Sequence, residues 1–105
     1  LVERIQVELS RHFSDPEFSA GQALEEMEYC PDYLRRLFRQ STGETPTEAL
    51  TRLRLTHACT LLSRKCSAMP VREIALLSGF YDADYFSRLF RRAMGCSPRV
   101  YRAEH

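Results

Sequence analysis

The chain has 105 residues, a formal net charge of +1 from 15 Lys and Arg against 14 Asp and Glu, and 44% hydrophobic residues. That length supports one domain with its own core and excludes a second large folded body. A net charge this small excludes a uniformly cationic surface, and no stretch approaches the ~18 consecutive apolar residues of a membrane span or the layout of a signal peptide.

No segment alternates with period two, whereas apolar residues recur at three- and four-residue steps almost throughout, so the fold class is all-α with about seven helices. The first helix is expected from Val2 to Phe13, with Ile5, Leu9 and Phe13 inward, ending before Asp15-Pro16. Ser19 is placed to cap a short helix through Met27, with Ala23, Leu24 and Met27 facing in. Pro31 suits the first turn of a third helix, over about 31–40, whose apolar face is Tyr33, Leu34, Leu37 and Phe38 and which runs out at Gly43. A longer helix from Thr47 to Arg64 carries Leu50, Leu53, Ala58, Leu61 and Leu62, and is the natural spacer between the two halves of the chain. Its length and stiffness are expected to set how those halves are displaced.

Beyond it, Val71 to Leu77 forms a short helix closed by Ser78-Gly79, and Ala83 to Met94 forms the next. Gly79 permits a turn that a side chain would obstruct, Phe80 plugs the core beneath it, and Asp82 is placed to cap the helix that starts at Ala83. On the helix 83–94, Tyr85, Phe86, Leu89 and Phe90 point inward, which leaves Ala83, Asp84, Ser87, Arg88 and Arg91 outside. Ser97-Pro98 opens a last helix over Arg99 to Ala103.

The third and sixth helices are copies. Laid over residues 74–102 without a gap, residues 22–50 share about eleven identities in roughly twenty-nine positions. In both copies an arginine-bearing tract (Tyr29 to Arg39, Tyr81 to Arg91) runs into Gly-x-[Ser/Thr]-Pro (Gly43 to Pro46, Gly95 to Pro98). A short helix, a tight turn and a second helix with a polar outer face make a helix-turn-helix, and presenting it twice suits the repeating surface of double-stranded DNA. The charge is distributed accordingly. Acidic residues crowd at Glu25, Glu26 and Glu28, while Arg35, Arg36 and Arg39, and again Arg88, Arg91 and Arg92, lie on the duplicated tracts. Arginine's rigid fork can chelate guanine O6 and N7 or pair with phosphate.

Other chemistries find little support. The four cysteines, Cys30, Cys59, Cys66 and Cys96, form no C-x-x-C pair, and His12, His57 and His105 stand alone, so reduced thiols are expected and neither a metal nor a cofactor. No nucleophile–base pair or facing carboxylates can be identified, so the chain is not expected to be an enzyme. A helical protein-interaction module or an RNA binder is the alternative. The aromatic residues lie at inward spacing, whereas RNA modules expose them for stacking.

The second half contains Ile74-Ala75, then Gly79-Phe80-x-Asp82-x-x-Tyr85-Phe86-x-Arg88-x-Phe90-Arg91, then Gly95-x-Ser97-Pro98-x-x-Tyr101-Arg102. The first contains Pro31-x-Tyr33-Leu34-x-Arg36-Leu37-Phe38-Arg39 and Gly43-x-Thr45-Pro46, followed by Leu50-x-x-Leu53-Arg54-Leu55-x-x-Ala58-x-x-Leu61-Leu62. Over nearly its whole length the chain thus resembles the DNA-binding domain of the AraC/XylS transcription regulators. The resemblance implies two homeodomain-like helix-turn-helix subdomains, about 1–46 and 65–105, joined by a linker helix at about 47–64, with recognition helices at about 31–40 and 83–94 in successive major grooves. It also implies base contacts from Asp32, Arg35 and Arg36 in the first helix and from Ala83, Asp84, Ser87 and Arg88 in the second, with Arg39 and Arg91 as phosphate contacts or local supports. Asp32 and Asp84 could accept from a cytosine amino group or merely complement the helix dipole. Two departures stand out: Cys30 where a serine cap is common and Glu28 where a small turn residue is common. Expected partners are double-stranded DNA and RNA polymerase, not a membrane, with a small-molecule effector acting only through a companion domain. The chain starts at Leu1, and a cytoplasmic fragment of a longer bacterial-type regulator is expected.

Overall fold

The computed structural model describes residues 1–63 and 68–105. Those residues form seven helices and no strand: α1 Val2–His12, α2 Ala20–Glu25, α3 Pro31–Thr42, α4 Pro46–Ser63, α5 Val71–Leu77, α6 Ala83–Met94 and α7 Pro98–Glu104. The expected last residue of the linker helix, Arg64, lies outside the described residues, as do Lys65 and Cys66.

The chain divides into two compact units, one of Leu1–Phe13 with Glu17–Leu53, the other of Ser14–Pro16 with Arg54–His105. In the first, α1 packs on α2 and α3. Its core is Ile5, Leu9, Ala20, Leu24, Leu34, Phe38, Ala49 and Leu50, with Phe13, Phe18, Met27 and Leu53 half-buried against it. In the second, α6 packs on α5 and α7 around Leu55, Ala58, Leu61, Leu62, Ile74, Ala75, Phe80, Phe86 and Phe90. The rings of Phe80, Phe86 and Phe90 follow one another at centroid distances of 5.1 and 5.6 Å, and Tyr101 of α7 closes edge-on to Phe90 at 5.4 Å. Each fully buried aromatic ring contributes about 1.5–3 kcal/mol, so this row is the main reason that α6 holds its place.

Helix α4 belongs to both units. Its first half lends Ala49 and Leu50 to one core and its second half lends Leu55, Ala58, Leu61 and Leu62 to the other. It starts one residue earlier than expected because Thr45 caps it reciprocally. The Glu48 N–H donates to Thr45 Oγ1 at 3.1 Å while the Thr45 N–H donates to Glu48 Oε1 at 2.8 Å, and Pro46 takes the first turn, where no N–H is needed.

The two helix-turn-helix turns are built differently. Before α6, Gly79 has φ +99°, a left-handed conformation that a side chain would strain, and Ser78 is wholly buried with its Oγ 3.2 Å from His57 Nδ1 of α4. Before α3 no described residue takes positive φ, so Glu28 can stand where a glycine is common.

Candidate nucleic-acid interface

Helices α3 and α6 start from their caps. Asp82 Oδ1 accepts from the N–H groups of Asp84 (2.8 Å) and Tyr85 (3.3 Å), which anchors the first turn of α6 as its sequence position suggested. Cys30 occupies the same place before α3 and makes no side-chain cap bond. Both helices end in a left-handed glycine whose N–H donates at 2.9 Å, from Gly43 to the Arg39 carbonyl and from Gly95 to the Arg91 carbonyl. The device is thus repeated down to its C-terminal turn.

On α3, Leu34 and Phe38 are buried and Leu37 half-buried, while Asp32, Arg35, Arg36 and Arg39 are exposed. Asp32 Oδ1 accepts from Arg35 Nη1 at 3.0 Å, which brings two of the candidate site residues together. Arg36 makes no ion pair among the described residues. Arg39 lies near Glu48, whose carboxyl is held below its ordinary range mainly by the Thr45 N–H, then by the Thr45 hydroxyl, with a smaller pull from Arg39.

On α6, Asp84, Arg88 and Arg91 are exposed, and neither arginine is ion-paired among the described residues. Ala83 and Ser87 are half-buried, not outside as their spacing suggested, because the starts of α5 and α7 rise beside them. A groove of about 730 Å³ lies there, lined on the α6 side by Ala83, Asp84 and Ser87 and on the other by Arg72, Arg99 and Arg102. Arg102 Nη2 donates to the Met69 carbonyl. Sequence reasoning missed these three arginines as part of a site. The i,i+3 spacing of Arg99 and Arg102 just after Pro98 was a usable signal, whereas Arg72 on α5 gave none.

Two further positions correct the sequence reading. Tyr33 and Tyr85, expected on the inner faces, are 44% and 49% exposed. Each lies at the edge of the apolar arc, above a leucine that is itself only half-buried (Leu37 and Leu89), so the ring leans out of the core.

A family model described as a helix-turn-helix domain matches residues 24–104. The chain belongs to the AraC/XylS family, as its DNA-binding domain. It is 45% identical to the HTH-type transcriptional activator RhaR of Cronobacter sakazakii over 72% of this chain and 28% of that protein. It is 35% identical to RhaR of Yersinia pseudotuberculosis over 97% of this chain and 33% of that protein. The chain therefore spans about a third or less of the length of these activators.

Among solved structures, the C-terminal domain of AraT, a response regulator from Geobacillus stearothermophilus, matches with a TM-score of 0.91 and 33% identity over 99% of this chain and 84% of that one. The DNA-binding domain of AdpA, a global transcriptional factor solved in complex with a target DNA, matches with a TM-score of 0.87 and 27% identity over 98% of this chain and 90% of that one. As an AraC/XylS DNA-binding domain, the chain binds double-stranded DNA sequence-specifically, and the family is one of transcription regulators rather than of enzymes. No helix among the described residues is long and apolar enough to cross a membrane, and no group of three or more potential metal ligands occurs among them.

Proposed function

We propose that α3 and α6 are the two recognition helices and that they enter successive major grooves of one duplex. Arg36 and Arg88 read guanine through bidentate contacts, and Arg39 and Arg91 pair with phosphates. Asp32 positions Arg35 beside them. Ala83, Asp84 and Ser87 lie against the DNA along the flank of α6, where Arg72, Arg99 and Arg102 take the phosphodiester strand that borders the groove. The observation carrying this reading is that Arg36 and Arg88 stand at equivalent positions of two duplicated helices, both exposed and both without an ion pair among the described residues.

In the full-length protein, a cytoplasmic regulator by this reading, the domain directs RNA polymerase to a promoter. A small-molecule effector acts through a companion domain. The relatives' name as transcriptional activators and the fraction of their length that the chain spans support that arrangement.

Selection from a random-sequence duplex pool supplies the operator for the test. Affinity measured across salt is expected to fall steeply, as counterions are released from the phosphates. Arg36→Ala and Arg88→Ala are each expected to cost about 1–3 kcal/mol on the operator and much less on random DNA. Equal losses on both duplexes would make these arginines phosphate binders and overturn the base-reading assignment.

A further inference from the structure

In the first two turns of each recognition helix, the exposed side chains are Asp32, Tyr33, Arg35 and Arg36 in α3, and Asp84, Tyr85 and Arg88 in α6. In each set one member lacks charge, and in each it is the tyrosine three residues before the base-reading arginine, one helical turn away on the same side. The two tyrosines stand at equivalent places of the duplicated tract, are exposed to nearly the same extent, and are the third helical residue in each case. Core packing does not account for them, because the buried work of these helices is done by Leu34 and Phe38 in one and by Phe86 and Phe90 in the other.

The rings have local support. Tyr29 stands beside Tyr33 at a centroid distance of 6.5 Å, and Tyr85 lies near the half-buried Arg54 guanidinium. The other flank of each helix is already committed to charge, to the Asp32–Arg35 pair on α3 and to the arginine-lined groove on α6. What remains exposed on the tyrosine side, one turn from the arginine, is the largely apolar ring itself. The major groove offers one apolar feature, the 5-methyl group of thymine.

We propose that Tyr33 and Tyr85 are specificity residues, each ring packing against the 5-methyl of a thymine next to the base contacted by Arg36 or Arg88. The inference rests on α3 and α6 being the recognition helices. It makes each helix a two-part reader, with an arginine fork for guanine and a tyrosine face for thymine.

Replacing thymine by deoxyuridine removes the methyl group and leaves the base pair's hydrogen-bonding edge unchanged, so the test is a scan of the selected operator, one thymine at a time. The wild-type domain is expected to lose about fourfold in affinity at two positions, the fold-change for burying a methyl-sized group. Tyr33→Ala is expected to abolish the discrimination at one of them and Tyr85→Ala at the other, each variant keeping it at its partner's position. With Tyr33→Phe and Tyr85→Phe, discrimination between thymine and deoxyuridine persists at both. A wild-type domain that binds the operator with steep salt dependence yet ignores every deoxyuridine overturns the inference and leaves the recognition-helix reading standing. Discrimination that survives the alanine variants, or that disappears with phenylalanine as it does with alanine, overturns it as well. Loss of binding to every duplex at all salt concentrations removes both readings together.

Discussion

Asp32 and Arg35 are joined at 3.0 Å across one turn of α3 with both side chains largely in solvent. A pair so exposed contributes only ~0–1 kcal/mol to stability, so its interest lies in what it does to the charge offered to DNA. While Asp32 holds it, Arg35 is partly neutralised and Arg39 has Glu48 near it, so that Arg36 is the cation α3 presents without an ion pair among the described residues. Asp32→Ala is therefore expected to raise affinity for random duplexes and to steepen the dependence on salt by up to ~0.9 in the logarithmic slope, the change for one more phosphate neutralised. Were Asp32 instead to accept from a cytosine amino group, the same variant would weaken operator binding and leave random DNA unchanged. Binding isotherms on the two duplexes at several salt concentrations separate the outcomes. At this scale the exposure of Arg35, Arg36, Arg39, Arg88 and Arg91 was legible, because each falls on the side of its helix away from the apolar arc. The tyrosines were not: helical spacing says which side of a helix a residue is on, but not how far up that side the neighbouring elements reach. Tyr33 and Tyr85 sit where the core stops, and Ala83 and Ser87 where the starts of α5 and α7 add a wall.

The elements differ most at their first turns. Helix α6 has a carboxylate cap from Asp82, α7 has Ser97 Oγ accepting from the Val100 N–H at 3.2 Å, and α2 has Ser19 Oγ accepting from the Gln22 N–H at 3.1 Å. These caps were readable in advance, since a short oxygen-bearing side chain before an apolar run has a specific local task. Helix α3 lacks one, and the gap is open to repair. Cys30→Ser is expected to stabilise the first unit by ~0.5–1 kcal/mol, the ordinary worth of a hydroxyl cap, and to raise its thermal midpoint without altering the DNA sequence preferred. A midpoint that does not move would show that the turn before α3 cannot present the hydroxyl to the helix. The cap of α4 makes a pH prediction. The folded-state pKa of Glu48 is depressed, first by the Thr45 N–H, so the unfolded chain takes up this proton more readily than the folded one. Its contribution is fully present above the ordinary carboxylate range and is lost as pH falls through the lowered folded value. The gap in thermal midpoint between wild type and Glu48→Gln is expected to be open at neutral pH and to close on acidification. A gap that stays constant across that range would show that the carboxylate's charge does nothing for the cap.

Over the whole molecule the charge nearly cancels, at +1, so the interaction with a polyanion must be carried by where the arginines stand rather than by their sum. The duplication made the two arginine-bearing helices visible from sequence alone, because each copy brings its own arginines, apolar face and terminal glycine. The groove beside α6 has no counterpart in that logic. Arg72, Arg99 and Arg102 come from α5 and α7 and meet only once both helices pack around α6, so the spacing of Arg99 and Arg102 could not announce Arg72 with them. Their role is open to a test on operator and random DNA side by side. Arg102 also donates to the Met69 carbonyl, so its removal would disturb the packing, and Arg72 and Arg99 are the cleaner probes. Arg72→Ala and Arg99→Ala are each expected to weaken operator and random DNA by the same factor and to lower the salt slope by about one, as loss of one phosphate contact requires. Arg88→Ala, by contrast, is expected to act mainly on the operator. Slopes unchanged in the first two variants would leave the groove outside the DNA contact and return those arginines to the solvated surface. A loss confined to the operator would instead move them onto base edges, which the half-buried flank of α6 does not favour.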